Sequence, residues 1–268
     1  MTIDVSKDGE IAVVCINRPE ARNAVNPEMA DALFRAFVAF ERDADAKVAV
    51  LTGVTGAFCA GFDLKTAAGG LGETWFAEHQ LDPDFDGRDD RPRKGPMGPT
   101  RLRLSKPVIA AISGPAVAGG MELALWCDLR VMEESAYMGV YCRRWGVPLI
   151  DGGTVRLPRI VGQGRALDLI LTGRKVEATE ALAIGLANRI CADGTALENA
   201  LELAREIARF PQACMKADRR SALTQWSLDE AGALVNEWSS AETFRSEGAT
   251  GAARFSEGKG RGGDFGEI

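Results

Sequence analysis

Two short segments of the sequence carry backbone N–H groups that could bind a developing negative charge. Residues 58–64 read FCAGFDL, where Gly61 lets the backbone bend tightly, so that the N–H of Phe62 can point into a cleft. Residues 113–123 read SGPAVAGGMEL, a small-residue loop leading into a helix whose first N–H groups and positive dipole end attract an anion. Each segment alone is also typical of a plain turn or helix entrance, so the interpretation depends on their occurring together.

The side chains that other catalytic centres need are scarce. His79 is the only histidine and lies in a polar stretch predicted to be irregular, which excludes a zinc site with several His ligands and leaves a Ser-His-Asp triad only this residue. A GxxxxGK[ST] loop is absent from the sequence, and Gly162-Gln163-Gly164 lacks the third glycine of a dinucleotide fingerprint. The chemistry must therefore depend on carboxylates, backbone groups or a bound cofactor.

Composition limits the partners and the location. The 268 residues suffice for one large α/β domain, or one domain with a smaller appendage, and a net charge of −6 provides no basic field for nucleic acid. Residues 1–14 lack the apolar run of a signal peptide, and no stretch of 18 apolar residues follows. We therefore expect no membrane partner and a cytoplasmic location. The six cysteines form no CxxC pair and are predicted to be reduced and mostly structural.

Apolar periodicity places the two segments within an alternation of strands and helices. Short β-branched runs closed by Asn, Pro or Gly predict buried strands at residues 11–16, 48–51, 108–112 and 129–132. Residues 27–42 repeat apolar side chains at helical spacing after Asn26, a good N-cap, and Pro27 in the first helical position. A second apolar helix is predicted at about residues 121–127. This alternation is typical of a mainly parallel sheet with helical crossovers.

Two regions depart from this alternation. Residues 67–100 are dense in Gly, Pro and Asp, with Trp75 and Phe76 as the large apolar side chains, and form either a solvated insertion or a lid over a pocket. From residue 164 onward the pattern is helical through residue 171, with further helices predicted at residues 178–186, 197–210, 214–224 and 228–244. The C-terminal third is therefore predicted to be a helical layer.

Four segments, in this order and at this spacing, resemble the enoyl-CoA hydratase/isomerase (crotonase) family. They read NRPEARNAVN at 17–26, GAFCAGFDL at 56–64, KPVIAAISGPAVAGGMELALWCD at 106–128 and GVPLIDGGTVRLPRIVG at 146–162. The resemblance covers nearly the whole chain and is weakest at residues 67–100. It implies an α/β fold, a crotonase-like spiral of ββα units with a C-terminal helical trimerisation region. Residues 1–200 would form the ββα core, with 67–100 as a lid or insertion, and residues 201–268 the helical region.

The resemblance also implies the substrate and where it binds. The substrate would be an acyl-CoA thioester, with coenzyme A as part of it, and no metal or permanently bound cofactor is expected. The N–H groups of Phe62 and Gly119 would form an oxyanion hole for the thioester carbonyl. The residues that would bind CoA are Arg22, Ala24, Ala60, Asp63, Leu64 and Lys259. Lys259 and Arg261 lie where the family carries basic residues for CoA phosphates, although a solvated tail explains them equally well.

The acid/base groups match the family only in part. Family hydratases use two glutamates, and Glu122 matches the first of them. The second position falls on Cys142, whose usual pKa near 8.5 makes it a poor substitute for a carboxylate. Asp151 is the nearest candidate for a second catalytic carboxylate, although an Asp that caps the next helix or turn is an equal alternative.

Cys142 is followed by two arginines and a tryptophan, in the segment where the family lines the acyl pocket. Arg143 and Trp145, with Arg144 between them, either form salt bridges and a packed indole at a subunit contact or recognise an acidic or polar acyl tail. Cys142, Arg143 and Trp145 are therefore predicted to line the substrate pocket.

The function predicted from these residues is that of an enoyl-CoA hydratase-like lyase that stabilises a thioester enolate. In it, Glu122 is the principal catalytic acid/base and Asp151 assists. A double-bond isomerase, a decarboxylase or a thioester hydrolase of the same family would need only one acid/base and stays an alternative. A protein that binds acyl-CoA without turning it over is the third possibility. A homotrimer or a dimer of trimers is expected in each case.

Overall fold

The computed structural model describes residues 3–54, 56–83, 85 and 93–260. Contacts between residues group the chain into two compact units, Met1–Ala204 and Arg205–Ile268. The first unit contains the strands and both glycine-rich segments, whereas the second is helical. The assignments of residues 67–100 as a lid and of residues 201–268 as a trimerisation region stay predictions.

The first unit is built on a six-stranded sheet. In chain order the strands of the described residues are β1 (Ile3–Asp8), β2 (Ile11–Ile16), β3 (Val48–Gly53), β4 (Val108–Ile112), β5 (Pro115–Val117), β6 (Leu129–Glu133), β7 (Tyr137–Gly139), β8 (Lys175–Glu177) and β9 (Arg189–Cys191). The large sheet has the order β1-β2-β3-β4-β6-β9, in which β1 and β2 are antiparallel and the other pairs are parallel. The four strands predicted from the sequence are confirmed, and the mainly parallel sheet with them.

A second, three-stranded sheet lies next to the glycine-rich segments. It has the order β5-β7-β8, and β5 follows β4 after only two residues. The Cys59 N–H donates to the Pro115 carbonyl over 3.0 Å, and the Val117 N–H donates to the Cys59 carbonyl over 3.0 Å. Segment 58–64 therefore lies beside β5, although more than fifty residues separate them in sequence.

The described helices are, in chain order, α1 (Pro27–Arg42), α2 (Leu64–Ala68), α3 (Glu73–His79), α4 (Gly119–Trp126), α5 (Gly153–Val161), α6 (Gln163–Thr172), α7 (Ala178–Ala183), α8 (Ala196–Arg209), α9 (Gln212–Thr224), α10 (Glu230–Trp238) and α11 (Ala249–Ser256). The predicted α1 is confirmed, with the Asn26 side chain accepting from the Met29 N–H over 2.9 Å. Its apolar side packs into the core, where Leu33 and Phe37 are fully buried together with Leu51 of β3.

The structure refines one prediction about local structure and contradicts another. The helix expected at residues 121–127 begins at Gly119, because Ala118 adopts a positive φ of 53° and its carbonyl accepts the first helical bond, from Glu122. His79 does not lie in an irregular stretch but ends α3, where its Nδ1–H donates to the Trp75 carbonyl over 2.8 Å. Residues 67–100 thus contain regular structure that their Gly, Pro and Asp content concealed.

In the second unit, the last predicted helix is interrupted and large apolar side chains are exposed. The helix expected at residues 228–244 is shorter, since α10 ends at Trp238 and is followed by a 3₁₀ turn at Ser239–Ala241 and a π-helical turn at Phe244–Gly248. Val235 and Trp238 of α10 are 73% and 79% exposed. Within the described residues, no helix combines the length and the apolar character that crossing a bilayer requires.

Candidate active site

The N–H of Phe62 points away from the backbone pairing that surrounds it. The Val25 N–H donates to the Gly61 carbonyl over 2.8 Å, and the Asp63 N–H donates to the Val25 carbonyl over 2.8 Å. Within the described residues, no backbone carbonyl accepts the Phe62 N–H between them. The role of this N–H as an oxyanion donor stays a prediction.

Gly119, the second predicted oxyanion donor, occupies the first position of α4. The first N–H groups of a helix have no carbonyl four residues earlier within the helix, and α4 has no side-chain cap to replace one. A methyl group on Gly61, which has a φ of +98°, would lie only 3.0 Å from the Gly119 nitrogen. The two predicted donor segments are therefore in contact, and the glycine at 61 leaves the space between them open.

The turn before Gly119 is held in a strained conformation. Ala118 has a φ of 53° and a ψ of −125°, a region that non-glycine residues rarely occupy and that costs about 1–3 kcal/mol. The Ala118 N–H donates to the Gly139 carbonyl of β7 over 2.9 Å, which helps to hold it there. Behind the turn, a methyl group on Gly120 would overlap the Cys59 carbonyl, so α4 can start here only because its second residue is glycine. The backbone conformation of Ala118, held by this hydrogen bond, therefore sets the direction of the first N–H groups of α4.

Glu122 lies one turn after Gly119 and is almost completely buried. Its Oε1 accepts from the Asp151 N–H over 2.9 Å and from the Gly153 N–H over 2.8 Å. Burial raises the pKa of Glu122 to about 8, and the negative charge of Asp151 adds to the shift, although the two hydrogen bonds oppose it. The described residues give the Glu122 Oε2 no hydrogen bond, and the predicted acid/base role of Glu122 stays a prediction.

Asp151 is also buried, and its carboxylate is directed at another part of the chain. Oδ1 accepts from the Met97 N–H over 3.0 Å and from the Thr100 hydroxyl. Burial raises the pKa of Asp151, against the opposing effect of these hydrogen bonds and of Arg156. Asp151 does not cap α5, which begins after Gly152 without a side-chain cap. Its predicted role as a second acid/base stays a prediction.

The residues from Cys142 to Trp145 do not converge on one point. Cys142 is buried, and burial together with the charge of Glu122 raises the pKa of its thiol. The Arg143 Nε–H donates to the Ile170 carbonyl of α6 over 3.1 Å, Arg144 stacks on Tyr141, and Trp145 is 68% exposed. Pocket roles for Arg143 and Trp145 stay predictions, as does that for Cys142.

Asp63, one of the predicted CoA-binding residues, uses both of its carboxylate oxygens in bonds within the protein. The Asp63 Oδ2 pairs with Arg18 over 2.7 Å, and its Oδ1 accepts from the Lys65 N–H at the start of α2. Arg18 also donates to the Ala24 carbonyl over 3.1 Å and so joins the two segments of the predicted groove. Sequence reasoning missed Arg18, although it stands inside the first matching segment.

The other predicted CoA contacts are placed as follows. Arg22 is exposed and has a φ of 50°, and its carbonyl accepts from the Ala60 N–H over 3.1 Å. Leu64 is 40% exposed at the start of α2. Lys259 lies in the turn after α11, whereas Arg261 lies outside the described residues. Arg22, Ala24 and Ala60 are thus on adjoining segments of the first unit, and their contacts with CoA stay predictions.

Comparisons with known proteins agree with this architecture. Residues 6–260 match the family model described as enoyl-CoA hydratase/isomerase. Enoyl-CoA hydratase EchA19 of Mycobacterium tuberculosis is 38% identical over 224 residues, which cover 81% of this chain and 78% of that protein. A short-chain-enoyl-CoA hydratase of Clostridium acetobutylicum is 32% identical over 238 residues, covering 87% and 85% of the two chains.

A solved structure supports the same assignment. The crystal structure of an enoyl-CoA hydratase from Mycobacterium tuberculosis H37Rv superposes with a TM-score of 0.83 and 32% sequence identity, covering 96% of each chain. This likeness confirms the predicted crotonase-like α/β fold. The chain belongs to the enoyl-CoA hydratase/isomerase family and is an enoyl-CoA hydratase-like enzyme of acyl-CoA thioesters.

Proposed function

We propose that this enzyme adds water to the double bond of a 2-enoyl-CoA thioester, with Glu122 as its acid/base. The observation that carries the proposal is the position of Glu122, a buried carboxyl one turn after the Gly119 N–H. Residues three apart on a helix lie on the same face, so a thioester carbonyl bound at Gly119 brings its neighbouring carbons towards Glu122. The acid/base would then lie at the atoms that react.

The N–H groups of Phe62 and Gly119 stabilise the charge that develops during the addition. As the water oxygen bonds to C3 of the enoyl group, the electron pair of the double bond moves through C2 onto the thioester oxygen. Both N–H groups are free of backbone partners among the described residues, so they can donate to that oxygen. Removing one such donor raises the barrier by about 3 kcal/mol in enzymes of this type. Stabilising the negative charge on the thioester oxygen is therefore the main contribution of these two N–H groups to the rate.

Glu122 moves the proton. Its Oε2 takes a proton from the water as the oxygen bonds to C3, and the protonated carboxyl then delivers a proton to C2 as the enolate collapses. The bonds of Oε1 to the N–H groups of Asp151 and Gly153 hold the carboxyl in one orientation during both steps. With one carboxyl acting on one face of the substrate, the hydroxyl and the hydrogen add to the same face.

Coenzyme A is proposed to bind along the segments that Arg18 joins. The exposed Arg22 is placed to meet a CoA phosphate, with Ala24, Ala60 and Leu64 along the same groove. The ion pair of Arg18 with the buried Asp63, together with the Arg18 bond to the Ala24 carbonyl, connects two segments of this groove. The predicted contact of Lys259 with a CoA phosphate stays a prediction.

Double-bond isomerisation is the second candidate, because a cysteine occupies the position of the second family glutamate. Interconverting a 3-enoyl thioester (C3=C4) and a 2-enoyl thioester (C2=C3) needs one group that removes a proton from C2 or C4 and returns it to the other of these two carbons, and Glu122 alone could do this. A panel of 2-enoyl and 3-enoyl CoA thioesters decides between the two. Loss of the enoyl absorbance with formation of a 3-hydroxyacyl product supports hydration, whereas interconversion of the two enoyl thioesters without a hydroxyl product supports isomerisation.

We expect kcat/KM to depend on the ionisation of Glu122. A single acid/base must start as the carboxylate in either reaction, and burial keeps the carboxyl protonated until the pH approaches about 8. The value of kcat/KM should therefore rise with pH below about 8 and level off above it, since this parameter reports the free enzyme. Initial rates at low substrate concentration across this range measure the profile. A decrease through the same range would contradict the assignment of Glu122 as the initial base.

We also expect the second unit to mediate assembly into a trimer or a dimer of trimers. Leu234, Val235, Trp238 and Phe244 are each more than half exposed and lie within residues 234–244, and exposed apolar side chains that cluster together are typical of a subunit interface. Sedimentation velocity at micromolar concentration should show a trimer or hexamer, and Val235→Glu should shift the distribution towards smaller species. A stable wild-type monomer would contradict this prediction.

A further inference from the structure

The last residues of the 67–100 region form a tight turn. The Gly95 and Gly98 backbones exchange two hydrogen bonds of 2.8 Å each, and Gly98 has a φ of +92°. Residues 95–100 are called the Met97 turn below, after the side chain near its tip, which is 1% exposed. A methyl group on Gly98 would lie 2.5 Å from the Ala30 carbonyl of α1, so the turn sits directly against that helix. The Met97 turn is thus a fixed part of the core.

Met97 lies against one of the two proposed oxyanion donors. A methyl group on Gly119 would be 2.7 Å from the Met97 Sδ and 3.0 Å from its Cγ. The thioether therefore occupies the space beside the Gly119 Cα, where any other residue would carry its side chain. Movement of Met97 would remove the packing that fixes the first residue of α4, whose N–H must be directed at the thioester oxygen.

Asp151 links this turn to the acid/base. Its Oδ1 accepts from the Met97 N–H and from the Thr100 hydroxyl, while its own N–H donates to the Glu122 Oε1. A methyl group on Gly95 would lie 2.8 Å from the same Asp151 Oδ1, so the turn closes tightly around the carboxylate. One residue thus contacts the Met97 turn through its side chain and the acid/base through its backbone.

The guanidinium of Arg156 closes this arrangement from the α5 side. It donates to the Asp151 carbonyl over 2.8 Å and to the Thr100 carbonyl over 2.6 Å. Arg156 therefore ties the backbone of Asp151 to the backbone of the Met97 turn, in parallel with the side-chain bonds. Two independent connections between the same segments indicate that their relative position is strongly determined.

We infer that Asp151 is a positioning residue: its side chain holds the Met97 turn against Gly119, and its backbone N–H holds Glu122 in place. Asp151 exchanges no proton with the substrate. The inference rests on the proposed roles of Gly119 and Glu122. It differs from the second acid/base role considered for Asp151, because the carboxylate of Asp151 is bonded to the Met97 turn, whereas Glu122 lies on the same helix as Gly119, one turn after it. Displacing catalytic groups by about 1 Å can lower a rate by about a hundredfold, so a positioning residue can be essential without touching substrate.

Two substitutions at residue 151 separate positioning from proton transfer. Asp151→Asn keeps one side-chain oxygen that can accept from Met97 and Thr100, so kcat should fall by no more than about fivefold. Asp151→Ala removes the acceptor, and kcat should fall by about a hundredfold with a much smaller change in KM, because the CoA groove is untouched. Equal losses in both variants would overturn the inference in favour of proton transfer, and wild-type kcat in both would show that residue 151 positions nothing.

A measurement that needs no turnover tests the same inference. Hydrogen exchange of the amides in residues 93–104, followed by mass spectrometry, should accelerate in Asp151→Ala and stay near wild type in Asp151→Asn. Unchanged exchange in Asp151→Ala would overturn the inference. If the wild-type enzyme turned over no enoyl thioester, the proposed function would fail, but this exchange measurement would still decide whether Asp151 holds the turn.

A second site keeps the test decisive if Asp151→Ala does not fold. Thr100→Val removes one donor to the Asp151 Oδ1 without changing charge or size, so kcat should fall by about fivefold and exchange in the turn should rise. Thr52→Val is the matched control, since its buried hydroxyl donates to the Ala111 carbonyl over 3.2 Å in the sheet. Exchange in the turn should be wild type in Thr52→Val. Identical behaviour of the two valine variants would overturn the inference.

Discussion

Glu122→Gln is expected to lower kcat by about a hundredfold to ten-thousandfold while leaving the affinity for CoA thioesters nearly unchanged. Glutamine has the same shape, and its amide oxygen can still accept from the Asp151 and Gly153 N–H groups that hold Glu122. It cannot take a proton from water, so the loss falls on the chemical step. Steady-state kinetics and calorimetric binding of a substrate thioester measure the two effects separately.

Cys142→Ser provides the comparison for Glu122→Gln. Burial and the charge of Glu122 raise the pKa of the Cys142 thiol above its usual value, so the thiol ionises less readily than Glu122, whose pKa is about 8, and is the weaker candidate for the base. We expect its rate to stay within a few-fold of wild type, as conservative changes away from proton transfer usually do. An active Glu122→Gln beside an inactive Cys142→Ser would mean that the acid/base has been assigned to the wrong side chain.

Gly61→Ala should reduce kcat/KM by about a hundredfold to a thousandfold, comparable to the loss of an oxyanion-hole donor. The added methyl group would lie 3.0 Å from the Gly119 nitrogen and 3.1 Å from the Val117 carbonyl, both of them backbone atoms that cannot rotate away. It would therefore separate the segments that carry the Phe62 and Gly119 N–H groups. Kinetics with the best substrate of the enoyl panel, at saturating and at low concentration, give the loss in each parameter.

Gly162→Ala is the matched control for the backbone strain in Gly61→Ala. Gly162 also has a positive φ, +81°, but a methyl group there would meet no atom within 4 Å. Both variants should unfold at lower temperature because alanine is strained at positive φ, but only Gly61→Ala should lose activity. Equal kinetic losses at equal loss of stability would show that strain alone, and no change at the oxyanion hole, explains Gly61→Ala.

Local pattern sufficed for the elements that carry the site. The helix at residues 27–42 was predictable because Asn26, Pro27 and the apolar spacing all specify the same start and the same buried face. The strand at residues 108–112 was predictable because all five of its residues are apolar and all five are buried. The placement of Phe62 and Gly119 came from two glycine-rich segments and their family resemblance, and the structure brings these segments into contact.

Contacts between distant residues were beyond the sequence. Nothing near Asp151 in the chain indicates that its carboxylate binds Met97 and Thr100, which lie more than fifty residues earlier. The ion pair of Arg18 with Asp63 joins residues forty-five apart and was missed for the same reason. Hydrophobic period and turn chemistry report on neighbours in sequence, whereas these bonds depend on how the completed fold returns the chain to one place.

The proposed oxyanion donors at Phe62 and Gly119 are peptide N–H groups, and this has a consequence for how the gene can change. Nineteen of the twenty encoded amino acids carry that N–H, so no codon change other than one to proline deletes either donor outright. Replacing a nearby side chain, such as the cysteine at 142, does not delete these donors. A protein of this fold can therefore lose or exchange a proton-transfer side chain by mutation and still stabilise an enolate. Changes of reaction are thus possible without rebuilding the oxyanion hole.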